Sequence, residues 1–253
     1  DQAAQASTSR GRARSILRPR YSGVMAQTLM PLVGYFAFFV LLHVLALARL
    51  EPVFPRAFKL SRAAAAVVLT GIGLAALVDA APQWEQAFLY EHAPGDWMRQ
   101  GALIVYGHLL ADFLWMWVGL RKFQVQPRRD LIIHHLLGMV GFGAALWLHV
   151  GYALALITMI TELLPVTTGI DAWSKRIAAP ALTAAACRAR LHVLAWLRIP
   201  LWTALLAMVL HVLIRGTPGA LLPAFTIAAC GLACLVALDA YWLRKCLQDV
   251  DFY

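Results

Sequence analysis

Charge is what this sequence is short of. Only 14% of its 253 residues are Asp, Glu, Lys or Arg, while 61% are hydrophobic. Soluble domains run near a quarter charged and half apolar, so this balance excludes an ordinary soluble globule and implies a polytopic membrane protein. Acid is scarcer than base, 13 residues against 22. The four cysteines, Cys187, Cys230, Cys234 and Cys246, form no CxxC pair, and Cys230 and Cys234 stand one helical turn apart. That excludes a soft-metal motif and reads as packing thiols rather than a disulfide framework. No internal repeat is present, nor a pair of broken spans in matching halves, which argues against a transporter. Long polar stretches are missing too, leaving no room for a second, soluble domain.

What the chain does have is apolar runs of span length. They cover about 29–48, 63–81, 100–120, 131–150, 152–170, 192–214 and 220–243, each near the 20 residues needed to cross a bilayer. The expected fold is all-α, a polytopic bundle of about seven transmembrane helices. Gly151 barely separates the fourth run from the fifth, which predicts a tight helical hairpin. Residues 174–190, "SKRIAAPALTAAACRAR", are too basic and interrupted to span, so an interfacial loop or short surface helix is expected. Residues 1–28 read as a basic tail, disordered or processed, with five arginines and no acid between positions 2 and 20. Residues 29–58 read as a first span with a basic loop, and 59–248 as the main membrane domain.

Alternate loops carry very different charge. Arg49, Arg56, Lys59, Arg62, Arg121, Lys122, Arg128, Arg129, Lys175, Arg176, Arg188, Arg190, Arg244 and Lys245 fall on one side, and only Arg99 and Arg215 on the other. Fourteen against two predicts that the first side, with the C-terminus, is cytoplasmic. The same rule explains the excess of base without a nucleic-acid partner.

The ionisable residues inside the spans share a depth. From that side, His134 and His135 of the fourth run lie roughly 6–8 Å in, Asp112 and Glu162 roughly 12 Å, and Arg198 near 9 Å. Asp239 is expected closer to the surface. Lipid offers such groups no partner, so they should face one another or a wet cavity. His108 and Asp112 are i,i+4 and share a helix face, as do His134, Gly138 and Gly141, where small residues let a neighbour approach. Pro165, three residues after Glu162, should loosen the helix there. A polar pocket open to the cytoplasm follows. His43, His149, His192 and His211 each stand alone, and His92 lies in a loop; these read as interfacial or packing residues.

Four pieces in order, "YGHLLADFLWMW", "RRDLIIHHLLGM", "TELLPVTTGIDAW" and "WLRIPLW", followed by "LDAYWLRKCL", resemble the TLC domain family, which includes ceramide synthases and translocating-chain-associated proteins. The resemblance covers about residues 60 to 246, after one additional span. It implies a six-helix TLC-type barrel around a cytoplasm-facing cavity. It also implies acyl transfer from acyl-CoA to a sphingolipid-type acceptor, with His134 and His135 matching the family's required histidine pair. Glu162 falls where those enzymes have an Asp; Thr161 stands in place of a His and Pro165 in place of a second Asp.

The enzymatic expectation is therefore a membrane-embedded lipid acyltransferase. Its catalytic candidates are His134, His135, Asp112 and Glu162, and its substrate-binding candidates are His108, Arg198, Trp115 and Asp239. A histidine serves as nucleophile or general base, and a carboxylate orients it. Membrane lipids are the expected partners, acyl-CoA a candidate co-substrate, and a homodimer a candidate assembly. The membrane would be the inner membrane of a bacterium or the endoplasmic reticulum of a eukaryote. The alternative is a non-catalytic, lipid-binding or membrane-organising protein whose polar residues form an interhelical network. A metal site from His108, Asp112, His134, His135 and Glu162 is disfavoured: adjacent histidines point about 100° apart on a helix, and the HxxxH and HxxHH clusters of membrane di-iron enzymes are missing. No cofactor is expected.

Overall fold

The computed structural model describes residues 21–84, 96–216, 219 and 221–250. Helices account for nearly all of them: α1 (Tyr21–Leu45), α2 (Phe54–Ala80), α3 (Asp96–Phe123), α4 (Arg129–Leu148), α5 (Tyr152–Ile157), α6 (Leu163–Arg176), α7 (Pro180–His192), α8 (Ile199–Gly216) and α9 (Leu222–Val250). Among the described residues, seven continuous helical segments are long and apolar enough to cross a membrane: Thr28–Leu50, Phe54–Ala80, Trp97–Phe123, Arg129–Leu148, Tyr152–Arg176, Pro180–Gly216 and Leu222–Gln248. The chain is an all-helical, multi-pass membrane bundle.

Its surface and interior are inverted relative to a soluble protein. Trp147 and Ile214 are each 84% exposed and Trp196 78%, whereas Asp112, Asp239, Arg198 and His135 are all buried. Large apolar side chains on the outside suit acyl chains as solvent, and ionisable groups inside find protein partners that lipid cannot supply.

Each run identified in the sequence becomes one span, with one instructive difference. Segment 174–190 is neither a loop nor a separate short helix: after a turn at 177–179, α7 begins with Pro180 in its first turn, and the helix runs on into the sixth span as one segment of 37 residues. Proline suits the first helical turn, and the Ala-rich sequence behind it favours helix strongly enough to override the scattered charge. The helix widens to a π-turn at Val193–Arg198, just before Pro200, whose ring cannot follow a regular turn.

The fifth span is also irregular. A 3₁₀ stretch, Thr158–Glu162, joins α5 to α6. Pro165 cannot donate the N–H that an α-helix would direct at the Thr161 carbonyl, so the sequence places a loosened turn at Glu162 as expected. Upstream, His149 (φ 54°) and Gly151 (φ 72°) take left-handed backbone and make the tight hairpin between the fourth and fifth spans.

Packing centres on the fifth span, which is largely enclosed. α2 lies along α6 and the 3₁₀ stretch. A Cβ at Gly73 would stand 2.8 Å from the Ile160 backbone nitrogen, and one at Gly169 would stand 2.3 Å from the Cβ of Ala63. Glycine at these two points is what lets the backbones meet. By contrast, a Cβ at Gly138 would meet only the end of Leu109, and one at Gly141 nothing within 4 Å. The glycine face beside His134 therefore admits no second backbone, because α3 contributes a leucine side chain there.

The connections after α1, α3, α6 and the C-terminal part of α9 all lie at one end of the bundle, hereafter the basic end, since alternate connections of consecutive spans share a side.

Candidate functional site

Three polar centres stand side by side near the basic end, and the adjacent histidines of α4 belong to different ones. Consecutive helical residues diverge by about 100°, so His134 and His135 must face different neighbours.

His135 turns inward to Asp112 of α3. Its Nε2 lies 2.8 Å from Oδ2 of Asp112, and its Nδ1 lies 2.9 Å from the Leu131 carbonyl one turn back. Asp112 is wholly buried and gathers three further partners. Nε2 of His43 is 3.0 Å from its Oδ1, Nε of Arg62 is 2.7 Å from its Oδ2, and Nε2 of His108 stands 3.8 Å from Oδ2. The Arg62 contact is ionic, because its Nε–H is not directed at the oxygen. Asp112 thus joins α1, α2, α3 and α4.

His43 and Arg62 were not among the expected site residues. His43 stands alone on its span and reads as a packing residue; its partners come from two other helices. Arg62 reads as a loop charge, yet α2 begins at Phe54 and carries it two turns into the helix. The sequence signal for both is weak: each lies within reach of Asp112's depth when counted from the same membrane face. Arg198, which could have been Asp112's cation, is committed elsewhere.

His134 turns the other way. Its Nε2 is 3.6 Å from Oε1 of Glu162, at ion-pair distance, and its Nδ1 has no hydrogen-bond partner among the described residues. Both side chains line a cavity of about 760 Å³ that also reaches Trp242, Arg198 and the basic end. The indole of Trp242 lies 5.6 Å from the His134 ring and donates to Oδ2 of Asp130 at 2.6 Å. Around the cavity stand seven cations, Lys59, Arg62, Arg128, Arg129, Arg190, Arg198 and Lys245, against the carboxylates of Asp130 and Glu162. Some are already met: Arg128 pairs with Asp130, and Lys59 and Arg190 approach Asp171 at 3.9 and 3.8 Å.

Arg198 and Asp239 form a buried fork. Nε of Arg198 donates to Oδ2 at 2.7 Å and Nη2 to Oδ1 at 3.0 Å, while Trp202 donates to Oδ2 at 2.8 Å. The remaining Nη1 donates to the Thr161 carbonyl at 2.7 Å. That acceptor is the one Pro165 leaves without an α-helical N–H, so the proline that loosens the fifth span also supplies Arg198 with its third bond. Asp239, expected near the surface, is wholly buried here because α9 tucks this face against α8.

Of the eight expected residues, His134, Glu162 and Arg198 line the large cavity. His135 and His108 face instead a small void of about 40 Å³, shared with His134 and Glu162, behind it. Asp112, Trp115 and Asp239 line neither. Trp115, expected to bind substrate, stacks on His43 at 5.3 Å and on Phe54 at 5.8 Å. An apolar groove of about 470 Å³ between α4 and α9 shares Gly138, Phe142, Thr158 and Leu235 with the small void, which in turn shares Arg62, His134 and Glu162 with the large cavity.

Among the described residues no group of three or more His, Cys, Asp or Glu is arranged to hold a metal ion. No family model matches the sequence, and no curated protein or solved structure matches it either. For this chain, function rests on its own residues.

Proposed function

We propose that the chain is an integral-membrane lipid acyltransferase of TLC type, in which His134 is the reacting group and Glu162 orients it. The observation that carries the reading is the His134–Glu162 pair opening into a cavity of about 760 Å³, large enough for a substrate-sized ligand. A buried structural network has no use for such an opening.

The proposed donor is an acyl thioester, acyl-CoA, presented from the cytoplasm. Its phosphates match the cations at the cavity mouth, and its chain matches the apolar groove beyond. Glu162 favours the tautomer with the proton on Nε2 and leaves the lone pair on Nδ1 of His134. As nucleophile, that nitrogen forms a C–N bond to the acyl carbon as the C–S bond breaks. The thiolate leaves and takes the imidazole proton. An amine or hydroxyl of a lipid then attacks the acyl-imidazole and gives its proton to the ring, which regenerates His134. As general base, His134 would instead take the acceptor's proton in one step. The C-terminus and basic end are proposed to be cytoplasmic, in a bacterial inner membrane or the endoplasmic reticulum.

A non-catalytic, membrane-organising role is favoured by one observation: the Asp112 and Arg198–Asp239 centres are closely paired, and neither carboxylate lines the cavity. The deciding measurement is acyl transfer in detergent or nanodiscs, with acyl-CoA and a panel of amine and hydroxyl lipids. His134→Asn at matched protein level should lower the rate by on the order of 10²-fold or more. Full activity in that variant would end the acyltransferase reading.

A further inference from the structure

The first span lies outside the region of family resemblance, yet it supplies a side chain to the buried carboxylate behind the histidine pair. Three polar contacts tie α1 along α3: Thr28 with Arg99, Tyr35 donating to Gln100 Oε1 at 3.3 Å, and His43 with Asp112 at 3.0 Å. Only the last reaches the site. We propose that His43 is a positioning residue: it holds Oδ1 of Asp112 so that Oδ2 is presented to His135, and the held His135 sets the turn of α4 that aims His134 at the cavity. This rests on the reading of His134 as the reacting group.

Partner chemistry limits where the protons can sit. Ser61 has one hydroxyl proton and two acceptors in reach, His43 Nδ1 at 2.5 Å and the Phe58 carbonyl at 3.0 Å, so it anchors Nδ1 of His43 in either tautomer. Nδ1 of His135 bears a proton, because the Leu131 carbonyl only accepts. Both rings then direct Nε2 at the same carboxyl group, one at each oxygen. Each of these contacts needs a proton between nitrogen and oxygen, and both oxygens belong to one planar carboxyl group, so a turn of that group at His43 also moves the oxygen that meets His135.

His43 is itself held on every side. Ser61 comes from α2, Asp112 from α3, and the indole of Trp115 stacks nearly parallel to the imidazole, at 11°. The other charged or titratable groups facing the carboxyl are Arg62 of α2 and His108 of α3. A ring fixed at both nitrogens and on its face has one orientation, which is what a positioning role requires.

Two substitutions separate position from bulk. Glutamine places its amide nitrogen near the site of Nε2, so His43→Gln keeps a donor on Asp112. Asparagine places its amide near Nδ1, so His43→Asn keeps Ser61 and frees Oδ1 of Asp112. In the full chain, His43→Asn should lower kcat by on the order of 10-fold or more with KM for the donor unchanged, and His43→Gln should restore most of it. In protein labelled with ¹⁵N-histidine, the His135 resonances, identified by their loss in His135→Asn, should move in His43→Asn and stay in His43→Gln. Wild-type kcat in His43→Asn, equal loss in both variants, or unmoved His135 resonances in His43→Asn would overturn the proposal. If the wild-type protein transfers no acyl group, the functional reading fails, and the resonances alone still decide whether His43 governs His135.

Discussion

Asp112 shows how burial changes what a residue is asked to do. Counted along its span it lies in a polar layer, where water in an open cavity could replace a lost charge. The structure places it out of reach of the large cavity, wholly buried, with Arg62, His43 and His135 as close partners. Removing one member of such a cluster leaves the others uncompensated, at a cost of about 3–5 kcal/mol. Asp112→Asn is therefore expected to lower the temperature at which the purified protein loses its monodisperse peak, and to lower folded yield. Glu162→Gln, facing a cavity, should fold close to normally. Equal behaviour of the two variants in a heated size-exclusion series would contradict this division of roles.

At the scale of elements, the decisive contacts involve small residues rather than charged ones. α2 and the fifth span meet backbone to backbone at Gly73, where an added Cβ would stand 2.8 and 2.9 Å from Ile160 and Leu156 backbone atoms. Backbone cannot move aside as a flexible side chain can. Gly73→Val should cost about 1–3 kcal/mol by overpacking, read as a lower unfolding temperature. Because the 3₁₀ stretch bearing Glu162 lies against α2, the same variant should disturb the site from a distance. Gly141, with nothing within 4 Å of an added Cβ, is the matched control, and Gly141→Ala should leave stability near that of the wild type.

For the molecule as a whole, the proposed orientation has a direct test. Val125 lies in the connection between α3 and α4 at the basic end, and Gly219 lies in the connection between α8 and α9 at the opposite end. In a chain with its four native cysteines replaced, Val125→Cys should be labelled by a membrane-impermeant maleimide only after the cytoplasmic face is opened. Gly219→Cys should be labelled from outside. Labelling of both from one side would remove the seven-span topology, and the reverse pattern would invert the orientation. Position 90, the other natural choice for that face, lies outside the described residues.

The spans and their hairpin were legible in the sequence because they follow from local rules: apolar length, the Gly151 turn, and proline's missing N–H. So was the shared depth of His134, His135, Asp112, Glu162 and Arg198, since rise along a helix is a matter of counting. The sequence also determined that His134 and His135 cannot serve one partner, because a helical step separates them by about 100°. What counting cannot supply is rotation, meaning which face of each helix meets which neighbour. That is decided where backbones touch, at Gly73 and Gly169, and by the 37-residue helix that carries Arg198 to Asp239. Only tertiary packing brought the solitary His43 to Asp112, gave Arg198 to Asp239 and Thr161, and left Glu162 to His134. Depth is a property of one helix; partnership is a property of several.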